Sequence, residues 1–284
     1  MNLWRTALTA AEPVPATEAT PFFVADGDAL IPQPISRGPW GETMHGRVFG
    51  ALAAREVERY RANDPDLICA RLTVDIFKPG LMTPVWMSTR AIREGRRIAV
   101  LEVTIEQEGG PIGQGKAMLL RATDQPTGQR MPTPEWGVPT PLELGAGTDD
   151  RGAVTRLWES WPIAPRGERE FRMRDGLWMR EIHDLVGGEA LTPLTRLGAA
   201  GDVAHPVGNS STTGLEFINP DYTIYMGREP RGEYIGIQPY GHISALGIGV
   251  AQCIAHDLDG PFGFIAAAAL ANSMTRANDG ARPR

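Results

Sequence analysis

Over much of the chain, apolar residues recur with a strand-like rhythm, in short runs bounded by Gly, Pro, Asn and Asp. In the first half these runs are ARLTVDIF, VWMSTRAI, RIAVLEVTIEQ and IGQGKAMLLRA. In the second half they are LEFINPDYTIYM, EYIGIQPY, GVAQCIAHD and FGFIAAAAL. Two stretches carry helical spacing instead. MHGRVFGALAAREVERYRAND, from about Met44, puts Val48, Phe49, Ala51 and Leu52 on one face and leaves Arg55, Glu56, Glu58 and Arg59 mostly solvated. In LTPLTRLGAAGDVAHPVG, Thr192 reads as a cap and Pro193 as the first residue of a second helix. A strand is expected before each helix, in PFFVADGDAL and in EFRMRDGLWMREI.

The pattern repeats at one offset. Gly110-Pro111-Ile112-Gly113 matches Gly260-Pro261-Phe262-Gly263, 150 residues on, and the same offset pairs RRIAVLEVTI with LGIGVAQCIA and LTVDIFKPG with YTIYMGREP. Each half is therefore a helix followed by a run of strands. Between them lies the Pro- and Gly-rich DQPTGQRMPTPEWGVPTPLELGAGTDDRG, without sustained periodicity. The expected organisation is an N-terminal domain over 1–123, a linker over 124–165 and a C-terminal domain over 166–284. The class is α+β, each antiparallel sheet burying one face on its helix.

Composition narrows the function. With 42% hydrophobic and 22% charged residues among 284, the chain can form a packed core. A net charge of −6 gives no reason to expect a nucleic-acid partner. Cys69 and Cys253 sit in apolar runs and read as buried free thiols, too few for a disulfide framework or a metal cage. No stretch approaches a membrane span, and the first twenty residues lack a signal-peptide core, so a soluble cytoplasmic protein is expected.

Four segments, in order, resemble one family. These are GPWGETMHGRVFGALAA, EGRRIAVLEVTI, LTPLTRLGAAGDVAHPVG and FINPDYTIYMGREPRGEYIGI. Together they resemble the acyl-CoA thioesterase II-like proteins, especially their bacterial thioesterase-like branch, over roughly Pro21 to Ala271. The fold this implies is a double hotdog: two antiparallel sheets, each wrapped round a long helix. The implied activity is hydrolysis of acyl-CoA to free acid and CoA, without metal or redox cofactor. A homo-oligomer is expected as well, because exposed sheet edges are normally covered.

The resemblance places the catalytic acid at Asp202. That residue lies about 100° round the helix from the stripe Leu194, Leu197, Gly201 and Ala204. Asn219 stands where the family often has a hydroxyl that helps orient water. His45 and Gly46 would meet the substrate, with backbone N–H groups at the helix start holding the oxyanion. Arg47 replaces a second Gly and would either crowd that position or bind a CoA phosphate. Each residue also has a plain structural alternative: a solvated helix carboxylate for Asp202, a strand-end Asn before Pro220, a structural His45. Asp221 is expected to cap or to pair with Arg228. The family often carries a Gln at the position of Ala267, so activity is expected to be weak. Gly198 and Gly201 each cost a helix about 1 kcal/mol against Ala, and they are expected to let substrate and neighbouring backbone come close. Two alternatives stay open: a non-catalytic acyl-CoA-binding protein, and a hotdog hydratase using Asp202 and His205. Pro206 disfavours helix at His205 and counts against the second.

Overall fold

In the computed structural model of the chain, Thr73 and Thr223 face each other where the two halves meet, their Oγ1 atoms 3.1 Å apart. Pairing runs symmetrically outward from them: Leu72 faces Ile224 and Val74 faces Tyr222, Arg71 faces Tyr225 and Asp75 faces Asp221. The 150-residue offset is thus a pseudo-twofold axis through this couple. The structure describes residues 20–39, 41–147, 157–163 and 175–272. Trp40 and the start of EFRMRDGLWMREI lie outside them.

The first half contains strands β1 (Phe23–Asp26) and β2 (Ala29–Pro32), helix α1 (Arg47–Arg61), and strands β3 (Leu67–Ile76), β4 (Trp86–Glu94), β5 (Ile98–Gln107) and β6 (Gly110–Arg121). A short helix, α2 (Pro141–Leu144), and strand β7 (Trp158–Pro162) fall between 124 and 165. Then come β8 (Leu177–Glu181), α3 (Pro193–Asn209), β9 (Phe217–Ile218), β10 (Asp221–Met226), β11 (Tyr234–Ala245), β12 (Ile248–Asp257) and β13 (Gly260–Ala271). The offset carries β5 onto β12 and β6 onto β13 residue for residue.

The expected two sheets are joined edge to edge. Strand order is β4-β5-β6-β3-β10-β13-β12-β11-β8-β7, with β9 on β13, and all pairs in this sheet are antiparallel. The join at β3–β10 removes one exposed edge from each half. PFFVADGDAL is a hairpin rather than one strand, because Gly27 adopts φ +58° and turns the chain between β1 and β2. This hairpin is bridged through Leu30 to Val85, the residue before β4, and reaches the second half through Phe23 N–H to the Leu185 carbonyl.

Both helices lie on the sheet, α1 against β3, β5 and β6, and α3 against β8 and β10 to β13. They also pack on each other, antiparallel, at Gly50 and Gly198. A Cβ on Gly198 would sit 2.4 Å from the Gly50 carbonyl oxygen, and one on Gly201 would sit 2.5 Å from the Tyr222 ring. The helix glycines therefore serve a helix crossing and an aromatic ring; the neighbouring backbone does come close, as expected. Thr192 caps α3 by accepting from the Thr195 N–H at 3.0 Å, and Pro193 takes the first turn. The helix nonetheless runs through Pro206 to Asn209, so His205 is helical. Burial of nearly every side chain from Leu194 to His205 outweighs the local preference against helix before proline. Core residues come from both halves and form one cluster, among them Leu52, Leu101, Leu119, Leu197, Tyr222 and Ile265. No described helix is long and apolar enough to cross a membrane.

Candidate active site

The loop before α1 is fastened by backbone bonds, His45 N–H to the Ser36 carbonyl at 2.8 Å and Met44 N–H to Gly80 at 2.7 Å. These aim the start of α1 at the middle of α3. A Cβ on Gly46 would lie 2.8 Å from Asp202 Oδ1, so any larger residue there would displace the carboxylate. His45 Nδ1 stands 3.5 Å from Asp202 Oδ2. From the other side comes Asn219. The segment expected as one strand, LEFINPDYTIYM, breaks at Asn219-Pro220 into β9 and β10. Proline has no N–H for the ladder, and in that break the Asn219 amide donates to Asp202 Oδ1 at 3.0 Å.

Asp202 is thus a buried carboxylate, 8% exposed, with defined partners. Burial alone would push its carboxyl up. The hydrogen bond and charge of His45, the Asn219 amide and the nearby His205 outweigh it and hold Asp202 below the usual carboxylate range. Because Asn219 Nδ2 is turned to the anion, its Oδ1 faces away as an acceptor. No acceptor among the described residues meets the Gly46 N–H. One carboxylate, one amide oxygen and one N–H at a helix start are the elements for holding water against a carbonyl.

Residues 34–123 match the acyl-CoA thioesterase N-terminal domain. The matched segment runs from before α1 to the end of β6, within the N-terminal half. Solved structures extend the likeness over both halves. A protein assigned as a thioesterase II from Thermobifida fusca YX superposes with a TM-score of 0.65 at 18% identity, covering 92% of this chain and 99% of its own. Acyl-CoA thioesterase II TesB2 from Mycobacterium marinum gives 0.54 at 15%, covering 92% and 96%. A hot dog fold protein of unknown function from Alicyclobacillus acidocaldarius gives 0.63 at 13%, covering 88% and 96%. At such identities the likeness carries the fold, a double hotdog. No curated protein matches the chain. Of the candidate residues, His45, Gly46 and Arg47 fall inside the matched thioesterase domain; Asp202 and Asn219 fall outside it.

Three expectations change. Arg47 neither crowds the helix start nor faces solvent for a phosphate. Its side chain turns inward, 1% exposed, and pairs with Glu181 of β8. Asp221 does not pair with Arg228. It accepts the Ala268 N–H at 2.9 Å, while Arg228 makes two bonds to buried Asp257. His205 is turned from proton chemistry. Its Nε2 lies 3.1 Å from the Phe217 carbonyl and so donates, and its Nδ1 accepts from Asn209 at 3.0 Å. Burial lowers its pKa and outweighs the Asp202 charge, which keeps the ring neutral.

Ala267 lies in the core opposite Ala251, 1% exposed. No nearby glutamine takes its place: Gln238 is held by His256 at 2.8 Å, and Gln252 is on the exposed face of β12. A cavity of about 620 Å³ lies elsewhere, between β1–β2, the outer face of α1 and β4. Two of its cations are neutralised by carboxylates, Arg55 by Glu189 and Glu56, and Arg59 by Glu56. It contains none of the candidate residues. Sequence reasoning missed Glu181, Trp158 and Tyr222, since nothing local marks a residue whose role is to meet a side chain far away in the chain.

Proposed function

We propose that the chain is an acyl-CoA thioesterase, cleaving acyl-CoA to free acid and CoA, with one site built from both hotdog halves. The observation that supports this most is the ionised, buried Asp202 packed against Gly46 at the start of α1 and bonded to Asn219. Water would donate one hydrogen to Asp202 and the other to Asn219 Oδ1. Its oxygen attacks the thioester carbonyl carbon, and the oxygen of that carbonyl takes up negative charge toward the Gly46 N–H. Asp202 takes the hydrogen it holds as a proton while the C–O bond forms and gives it to sulfur as the tetrahedral intermediate collapses and the C–S bond breaks, so CoA leaves as its thiol. Asp202 is held low, so it is charged throughout the neutral range and a weak proton acceptor. As a weak base it takes the proton uphill, and turnover is slow.

A panel of acyl-CoA chain lengths, with release of the free thiol followed, tests this. The chain's own thiols stay silent in that assay, because burial pushes both Cys69 and Cys253 up to about 12. Hydrolysis in the wild type that is lost in folded Asp202→Asn supports the reading. Equal rates in the two would end it; acyl-CoA binding without turnover would then leave the non-catalytic acyl-binding protein. The hydratase reading loses its base, since both nitrogens of His205 are engaged.

We also propose a homodimer or higher assembly. The outer face of the second sheet exposes Ile243, Ile248, Val250 and Leu270, on β11, β12 and β13, an apolar patch of the kind that marks contact surfaces. Light scattering showing a monomer across micromolar concentrations would count against it.

A further inference from the structure

We propose that Arg47, Glu181 and Trp158 form a positioning unit that fixes His45 and the first turn of α1 against Asp202. The inference rests on the thioesterase reading for its kinetic consequence and on geometry alone for the positioning itself.

Arg47 follows His45-Gly46 directly and is the first residue of α1. A charged side chain at that point would ordinarily reach water. Here the guanidinium is fully buried and its counter-ion, Glu181, is 5% exposed. The guanidinium carbon lies 4.3 Å from the centre of the Trp158 ring and 5.6 Å from that of Phe22. The same indole then meets the His45 ring edge to face, planes at 90° and centroids 6.1 Å apart. One aromatic side chain therefore touches the imidazole that flanks Asp202 and the cation anchored in β8. A cation over an indole face is held most strongly when both are out of water, and a buried ion pair fixes geometry even where it adds little stability. Trp158 belongs to β7 and Glu181 to β8, paired strands at the far edge of the sheet. The unit thus ties the edge of the second sheet to the helix start of the first half. Trp158 passes this restraint on through its contact with His45, and Arg47 and Glu181 through the indole and the helix start.

Two variants test this without leaving a lone buried charge. Trp158→Leu keeps the ion pair and removes both ring contacts; Arg47→Met combined with Glu181→Leu removes the pair and keeps the indole. Both are checked for folding by melting. In the wild type the His45 ring is expected to give one set of NMR signals. In each folded variant it is expected to give averaged or multiple sets. Against acyl-CoA, kcat is expected to fall about tenfold with KM within a factor of two, and Trp158→Phe to recover most of it. Unchanged His45 signals in both folded variants would overturn the proposal. So would unchanged kcat in an active enzyme. A wild type without hydrolysis would sink the thioesterase reading alone, and the His45 signals would still decide the positioning. If either variant fails to fold, the other decides alone; if both fail, Trp158→Gln, which removes the ring contacts, is read by the same signals, and unchanged His45 signals in it would overturn the proposal.

Discussion

Asp202 is enclosed and still ionised, because His45 and the Asn219 amide offset the cost of taking a carboxylate from water. Two consequences follow at this one residue. Asp202→Asn keeps the shape and removes the charge, so steady-state hydrolysis is expected to drop about 10²–10⁴-fold, the usual share of a positioned base, with the fold retained and the melting temperature lowered by loss of the carboxylate's own contribution. The second is pH dependence. A carboxyl held low in the folded state contributes stability that is present above its unfolded value of about 3.9 and is lost as pH falls through the lower folded value. The acid limb of the rate should therefore lie below the ordinary carboxylate range. A half-maximal rate at pH 5 or above would contradict this. Asp202 and Asn219 were legible in the sequence as separate residues, one on a helix and one beside a proline. That their side chains meet depends on the break at Pro220. The direction of Arg47 was not legible at all: the residue type signals charge, and Glu181, which meets it inside, lies far along the chain.

Among the elements, two glycines decide how closely α1 and α3 approach. Gly198→Ala would gain helix propensity of about 1 kcal/mol. Its Cβ, however, would meet the Gly50 carbonyl at 2.4 Å, and backbone gives way far less easily than a flexible side chain. The net is expected to be destabilising by about 1–3 kcal/mol, seen as a melting temperature lower by several degrees. An unchanged or higher value would mean that the crossing is looser than drawn. Ala267 raises the same question in a strand. A Gln there would restore an amide to the family's usual position, yet the site is closed on every side by core. Ala267→Gln is therefore expected to lower the melting temperature and to leave the hydrolysis rate no higher; a faster, equally stable variant would refute the packing argument. Strand positions were readable because alternation survives burial on one face. The first hairpin and β7 were not. PFFVADGDAL lacks a break long enough to separate two strands, its turn resting on Gly27 alone. Strand β7 sits among prolines and glycines that read as linker.

For the whole molecule, the pseudo-twofold axis through Thr73 and Thr223 makes two equivalent places for a site, and the side chains fill only one. The residue 150 positions before Asp202 is Leu52, 1% exposed in the core. The residue 150 positions after His45 is Thr195, whose hydroxyl and N–H are taken up in the cap of α3. The residue matching Asn219 is Cys69, buried in β3, whose pairing shows only a bulge where the second half breaks at Pro220. Duplication was legible from the offset in the sequence. The asymmetry was legible too, once the offset was applied to each candidate residue, but the joining of the sheets at β3–β10 was not, since two edge strands carry no mark of their partner. Symmetry in the backbone with chemistry on one side predicts one productive site per chain. A non-hydrolysable thioether analogue of acyl-CoA, titrated calorimetrically into the protein, should bind with a stoichiometry of one per chain. Asp202→Asn should leave no second phase of hydrolysis. A stoichiometry of two, or residual turnover at half the wild-type rate in Asp202→Asn, would show that the Leu52 side works as well, and the single-site mechanism would fail.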